Sequence, residues 1–186
     1  YDGGWPYTAE NWRSQELNAM VRDLQPDIII NDRSRVPEDF DTPEQHIRAS
    51  EAGRPWEACM RLNQSWGYNE ADDQWKSSKQ VVKNLIRCAS GGGNFLLNVG
   101  PKPDGTIPGD SERILRQVGD WLETNGGSIY GTERSPFSTS TGMTTLRGST
   151  LFVHALRWPG RELTVPRILN RVRSVHMLDG GESVEY

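Results

Sequence analysis

Two short apolar runs, Ile28-Ile29-Ile30 and Phe95-Leu96-Leu97, each follow a segment of helical periodicity and each precede a long polar stretch. Apolar runs of strand length, without alternation, suit strands covered on both faces, the condition of parallel sheets. Upstream of the first, Leu17, Met20, Val21 and Leu24 fall at i, i+3, i+4 and i+7 and predict an amphipathic helix over Asn11 to Gln25, ended by Pro26. Upstream of the second, Val81, Val82, Leu85 and Ile86 predict a helix over Gln74 to Ala89, stopped by Ser90-Gly91-Gly92-Gly93. Asp27 to Arg33 and Asn94 to Val99 are then strands. Pro55 to Met60 reads as a third, and Asp110 to Thr124, with Ile114, Leu115, Val118, Trp121 and Leu122, as a further helix.

This alternation predicts a parallel α/β sheet. Long, polar, acid- and aromatic-rich loops follow the strands and short connections follow the helices, which is the layout of a (β/α) barrel. A doubly wound sheet is the runner-up, but no Gly-rich phosphate loop follows any strand. After about Glu133 the pattern changes. Ser135 to Ser149 is rich in Ser, Thr and Gly, and Thr150 to Leu156, Arg161 to Val165, Val172 to Leu178 and Gly181 to Tyr186 read as strands of an antiparallel β unit.

Composition narrows the function. With 21 Lys+Arg against 25 Asp+Glu, net charge is −4, which argues against a nucleic-acid partner. No apolar run approaches the roughly 20 residues of a membrane span. Cys59 and Cys88 fit neither a disulfide framework nor a metal motif and read as two buried thiols. Neither His46, His154 nor His176 has metal-ligand spacing. Seven Trp and five Tyr suit core anchors or a surface on which sugar rings stack.

The chain opens on Tyr1-Asp2-Gly3-Gly4-Trp5, an acid followed by small residues, as at the end of a barrel strand beside a ligand; with no initiator Met it reads as a portion of a longer protein. Glu44 lies on a later loop. Two carboxylates roughly 5 Å apart are what a retaining glycosidase needs, one as nucleophile and one as proton shuttle. Singly, each acid is more often a solvated group or a cap. Arg33, closing the Ile-rich strand, would bind hydroxyls or hold a carboxylate ionised; a structural ion pair with Asp32 or Asp2 is the equal alternative. Trp56-Glu57 and Ser65-Trp66-Gly67-Tyr68-Asn69 place aromatics with polar partners at neighbouring loop ends, each Trp alone being more often packing.

Several of these segments occur together, in order: Asp2-Gly3-Gly4-Trp5, Ile30-Asn31-Asp32-Arg33, Phe40-Asp41-Thr42-Pro43-Glu44, Trp56-Glu57-Ala58-Cys59, Ser65-Trp66-Gly67-Tyr68-Asn69, Gly92 to Pro101, Asp104 to Pro108 and Ser128 to Thr132. Over about residues 1–137 the chain thereby closely resembles the α-L-fucosidases of glycoside hydrolase family 29. The resemblance implies the C-terminal half of a (β/α)8-like TIM barrel over residues 1–134, followed by the beginning of an antiparallel β-sandwich domain over residues 135–186. It implies a retaining exo-hydrolase that removes terminal α-L-fucose from fucosylated oligosaccharides or glycoconjugates, without metal or cofactor. Asp2 matches the nucleophile and Glu44 the acid/base, with Glu57 as the alternative acid/base or a substrate contact. Arg33 and Trp66 match residues that contact the fucose.

The family's upstream barrel half is not in this sequence, so the 186 residues alone are expected to be inactive and marginally folded. The substrate points to an exported or lysosome-like compartment. A fucose-binding module without turnover is the reading from a different class, and another retaining glycosidase on the same barrel a third; the acid pair argues against the first and the motif order against the second.

Overall fold

The computed structural model describes residues 1–2, 6–158 and 160–186; Gly3-Gly4-Trp5 of the opening motif and Pro159 of the Trp158-Pro159-Gly160 turn lie outside them. Its elements are helices α1 (Ala9–Trp12), α2 (Ser14–Leu24), α3 (Ser78–Ser90) and α4 (Gly109–Asn125), and strands β1 (Glu57–Arg61), β2 (Asn94–Asn98), β3 (Glu133–Arg134), β4 (Gly142–Arg147) and β5 (Thr150–Ala155).

The parallel part is built in chain order. β1 pairs parallel with β2, Glu57 opposite Asn94 through Arg61 opposite Asn98. On the other side of β1, the extended segment 41–44 adds two parallel bridges, Asp41 to Trp56 and Glu44 to Cys59. Phe40 in turn bridges Asn31, again parallel. Only the β1-to-β2 crossover contains a helix, α3. Ala58 and Met60 on one face of β1 are buried, with Phe95 and Leu97 on the same side of β2. There Leu62, Val81, Ile114 and Val118 form the main core between the strands, α3 and α4. Trp56, Ala58 and Cys88 form a second cluster. Glu57, Cys59 and Arg61 occupy the opposite, half-buried face of β1.

α3 starts at Ser78, four residues later than the periodicity suggests, because the Ser77 hydroxyl accepts from Gln80 N and caps it there. The glycines end it as expected, Gly92 taking a φ of +74°.

In the N-terminal part three expectations are corrected. The first helix is two: Arg13 adopts a left-handed conformation (φ 50°, ψ 44°) and its N–H turns back to the carbonyls of Ala9 and Glu10. The apolar row of α2 is only half-buried, at Leu17 and Val21. Ser14 and Asn18 are buried, while Met20 and Leu24 are 52% and 77% exposed. Hydrogen bonds dock that polar row: Ser14 Oγ donates to Ser34 O (2.5 Å), Asn18 Nδ2 to Glu38 Oε1 (2.5 Å), and Arg22 pairs with Glu38 at 2.7 Å. The Ile-rich run, finally, is not a buried strand. Ile30 is buried but Ile29 is 72% exposed. Ile30 N donates to the Asp39 carboxylate (2.7 Å) and not to a neighbouring strand, and a 3-10 turn at Asp32–Ser34 ends the extended stretch.

The C-terminal part is an antiparallel sheet in the order β3-β4-β5. β4 lies inside the segment read as Ser/Thr/Gly-rich, and 161–165 forms no strand. Residues 172–186 contribute one antiparallel bridge, His176 to Ser183. β3 and β4 pack on α3. The buried Thr145 hydroxyl donates to Ser128 O (2.7 Å) and lies 3.1 Å from His154 Nε2. Because its one proton is spent on Ser128, the His154 ring must carry the proton on Nε2 and donate, a tautomer assigned from the network.

Candidate active site

The parallel pairings bring the distant acids to one edge. Asn31 places its side-chain N–H on Tyr1 O (2.8 Å), which holds Asp2 beside the Asp32–Ser34 turn. Arg33, on that turn, has a side chain only 15% exposed and reaches both acids with one nitrogen: Nη1 lies 2.8 Å from Glu44 Oε2 and 3.5 Å from Asp2 Oδ1. Of the two structural partners expected for Arg33, Asp2 is engaged. Asp32 is not paired to it directly; its Oδ1 accepts from Thr42 Oγ1 (2.6 Å) and Thr42 N (3.1 Å), and Thr42 Oγ1 accepts from Arg33 Nε (3.0 Å).

Glu44 is held through its backbone. Cys59 N donates to Pro43 O (3.0 Å) and Gln45 N to Cys59 O (2.9 Å). Gln45 pays for this with a φ of +59°, a left-handed conformation that a non-glycine residue adopts reluctantly. The loop beyond is tied down by Asp41, which accepts from Ser50 Oγ (2.5 Å) and Arg54 Nε (2.6 Å). The Arg54 hydrogen bond holds the Asp41 carboxyl below its usual range, with burial opposing.

Glu57 lies on the same face of β1 as Arg61, with Cys59 between them, its N–H on Asp41 O (2.9 Å). Trp66 stands on the loop after β1, 39% exposed, under the Arg61 guanidinium at 5.5 Å. With its amide turned so that oxygen faces inward, Gln45 accepts from Arg61 Nε (3.3 Å) and N (3.2 Å). Arg61 therefore links the Glu44 loop to Trp66, which makes no direct contact with the acid pair among those described.

Sequence reasoning missed Thr42, Arg61 and Cys59. Cys59 is half-buried, not buried as expected, and sits in the middle of the charges. Burial pushes its thiol up, the Arg33 cation pulls it down, and Glu44, Glu57 and Asp2 push it up again. Cys88 matches the buried reading, its thiol pushed up to about 12 by desolvation. The parallel bridge of Glu44 to Cys59 was the missing information, and no periodicity in a loop supplies it.

A cleft of about 120 Å³ opens beside Asp2 and Arg33, lined also by Tyr1, Trp12, Leu17 and Ser34 but not by Glu44. A roomier hollow of about 580 Å³ lies elsewhere, between Thr106, Ile107 and the Glu112–Arg116 turn of α4. It is lined by a single acid, Glu112, so the site is assigned to the edge where Asp2 and Glu44 meet at Arg33.

The family model described as alpha-L-fucosidase matches residues 1–127. The chain is 33% identical over 144 residues to an alpha-L-fucosidase of Dictyostelium discoideum, covering 70% of this chain and 31% of that protein. It is 30% identical over 177 residues to the tissue alpha-L-fucosidase of Rattus norvegicus, covering 85% and 38%. Among solved structures, alpha-L-fucosidase isoenzyme 1 from Paenibacillus thiaminolyticus superposes with a TM-score of 0.89 at 38% identity, covering 99% of this chain and 48% of that one. The Thermotoga maritima alpha-fucosidase in complex with fucose gives 0.74 at 33% identity, covering 93% and 42%. The chain thus spans less than half the length of each of these relatives. With a family model over more than half of its residues and a fold that follows these structures, the chain belongs to the alpha-L-fucosidase family.

Proposed function

We propose that the protein carrying this chain is a retaining exo-glycosidase that hydrolyses terminal α-L-fucose from fucosylated oligosaccharides or glycoconjugates. The parallel pairings in chain order, with acids at one edge, are read as the C-terminal half of a (β/α) barrel whose site forms at the strand ends. The observation that carries the proposal is the shared Arg33 nitrogen. Since Glu44 and Asp2 oxygens sit 2.8 and 3.5 Å from it, they are at most about 6 Å apart, short of the inverting range and consistent with the roughly 5 Å of double displacement.

In this reading an Asp2 carboxylate oxygen attacks the anomeric carbon as the bond to the leaving oxygen breaks. Glu44 gives that oxygen its proton. In the second half Glu44 takes a proton from water, whose oxygen attacks the same carbon and releases Asp2, so configuration is retained. Glu44 is bonded to Arg33 through Oε2, which leaves Oε1 for the leaving group. Arg33 directs N–H groups at the sugar and at the carboxylate that has just been displaced, and Trp66 offers an apolar ring to the sugar's face. That the Thermotoga maritima relative was solved with fucose supports the choice of sugar.

The test is release of 4-nitrophenol from 4-nitrophenyl α-L-fucoside by the full-length protein, with the anomer followed by NMR. Initial release of α-L-fucose is expected. First-formed β-L-fucose would refute double displacement, and fucose binding without turnover would move the protein to the sugar-binding class.

A further inference from the structure

We propose that Thr42, backed by Asp32, is the positioning residue that sets Arg33 for catalysis; the inference rests on the function proposed above. The hydroxyl of Thr42 has one proton, and it goes to Asp32 Oδ1 at 2.6 Å. Thr42 N donates to the same oxygen at 3.1 Å. With its proton committed, Thr42 Oγ1 presents only lone pairs to its remaining neighbour, Arg33 Nε, at 3.0 Å. The Asp32 carboxylate polarises this hydroxyl and makes it a better acceptor.

A guanidinium is planar, so fixing Nε fixes the plane and the direction of Nη1, the nitrogen that meets Glu44 and Asp2. The arrangement also closes a ring. Asp32 and Arg33 share one 3-10 turn, Thr42 lies on the extended segment that carries Glu44 two residues on, and Arg33 returns to Glu44. The cation and the acid it holds are thus located by the same pair of hydrogen bonds.

The intermediary is neutral, and that is its use. A direct Asp32–Arg33 ion pair would spend the cation's charge on a structural carboxylate. Passing the contact through a hydroxyl orients Arg33 and leaves its charge to the acid pair and the sugar. Thr42 touches none of the reacting atoms in this scheme; it acts through Arg33.

The experiment is a double-mutant cycle in the full-length protein, with Thr42→Val and Thr42→Ser made in the wild type and in Arg33→Lys. On 4-nitrophenyl α-L-fucoside, Thr42→Val is expected to lower kcat/KM by about 10- to 100-fold, the scale of a misplacement of about 1 Å. Thr42→Ser, which keeps the hydroxyl, should recover most of it. In the Arg33→Lys background Thr42→Val should cost little more. A second readout is independent of turnover: the NMR signal of Arg33 Nε–H, slow to exchange in the wild type and in Thr42→Ser, is expected to exchange fast in Thr42→Val. Equal losses in both backgrounds, or an Arg33 Nε–H that Thr42→Val leaves unchanged, would overturn the proposal. Absence of fucoside turnover in the wild type would sink the functional reading instead, and the Nε–H exchange would still decide whether Thr42 holds Arg33.

Discussion

Gly93 lies against the indole of Trp56 so closely that a Cβ placed on it would stand 2.1 Å from the ring. Trp56 is 3% exposed and its Nε1 donates to Gly91 O at 3.2 Å, so the ring is held and cannot yield. The restriction at Gly93 is one of space, since its φ is not in the left-handed region. Gly93→Ala is expected to lower stability by at least about 1–3 kcal/mol, as overpacking of a filled core does, read from the denaturant midpoint. An unchanged midpoint would mean that Trp56 has another rotamer available.

Arg33 joins the two acids, and its loss should be felt in turnover more than in folding. Arg33→Ala is expected to cost roughly 10²–10³-fold in kcat, the scale of removing one preorganised donor, while the melting temperature moves little. A large fall in melting temperature with kcat preserved in the surviving enzyme would make Arg33 a structural residue.

The two acid/base candidates separate by chemical rescue. Azide has no proton to lose and attacks the fucosyl-enzyme without a general base, so it should restore turnover to Glu44→Ala on an activated fucoside and leave Glu57→Ala unaffected. Rescue of Glu57→Ala alone would reverse the assignment. Asp2→Ala should not hydrolyse the fucoside in either case, and azide attacking in its place should give the inverted β-fucosyl azide.

Stability should depend on pH through His154. Desolvation pulls its imidazole down to about 4, against the pull of a hydrogen bond to the Ser128 backbone. A histidine with a depressed folded-state value stabilises fully above its unfolded value, near 6.5, and that contribution is lost as pH falls from there toward about 4. The loss should be on the order of 2–3 kcal/mol across that window, measured by urea unfolding at pH 7 and pH 4.5. Carboxylates such as Asp41 contribute in the same direction at the acid end. His154→Gln, whose amide N–H can replace the ring N–H, isolates the histidine part: its slope between pH 6.5 and 5 should flatten.

Helices α3 and α4 were legible in the sequence through their stop signals and clear period, and strand β2 through its unbroken apolar run after the glycines. β4 was not. Gly142-Met143-Thr144-Thr145-Leu146-Arg147 reads as turn material, yet Thr144 and Thr145 are buried, and the Thr145 hydroxyl is satisfied by Ser128 and His154, 17 and 9 residues away. The only half-buried apolar row of α2 misleads for the opposite reason: Ser14, Asn18 and Arg22 carry the docking through specific partners that periodicity does not register. At the site, residue types pointed to Asp2, Glu44 and Arg33, and the structure brings these three together. Thr42 and Cys59 became visible only through pairing between segments, which no local pattern encodes.

The segment that bears Glu44 is also a rung of the sheet, bonded to β1 at Asp41, Pro43 and Gln45. Its length is therefore fixed: one residue inserted or deleted between Asp41 and Gln45 would turn Glu44 to the other side and break the ladder at once. Under the proposed function, variation in what is accepted next to the sugar falls to loop stretches that carry none of these sheet hydrogen bonds, 51–53 and 68–73. An engineer seeking new linkage preferences should randomise those and leave 41–45 untouched.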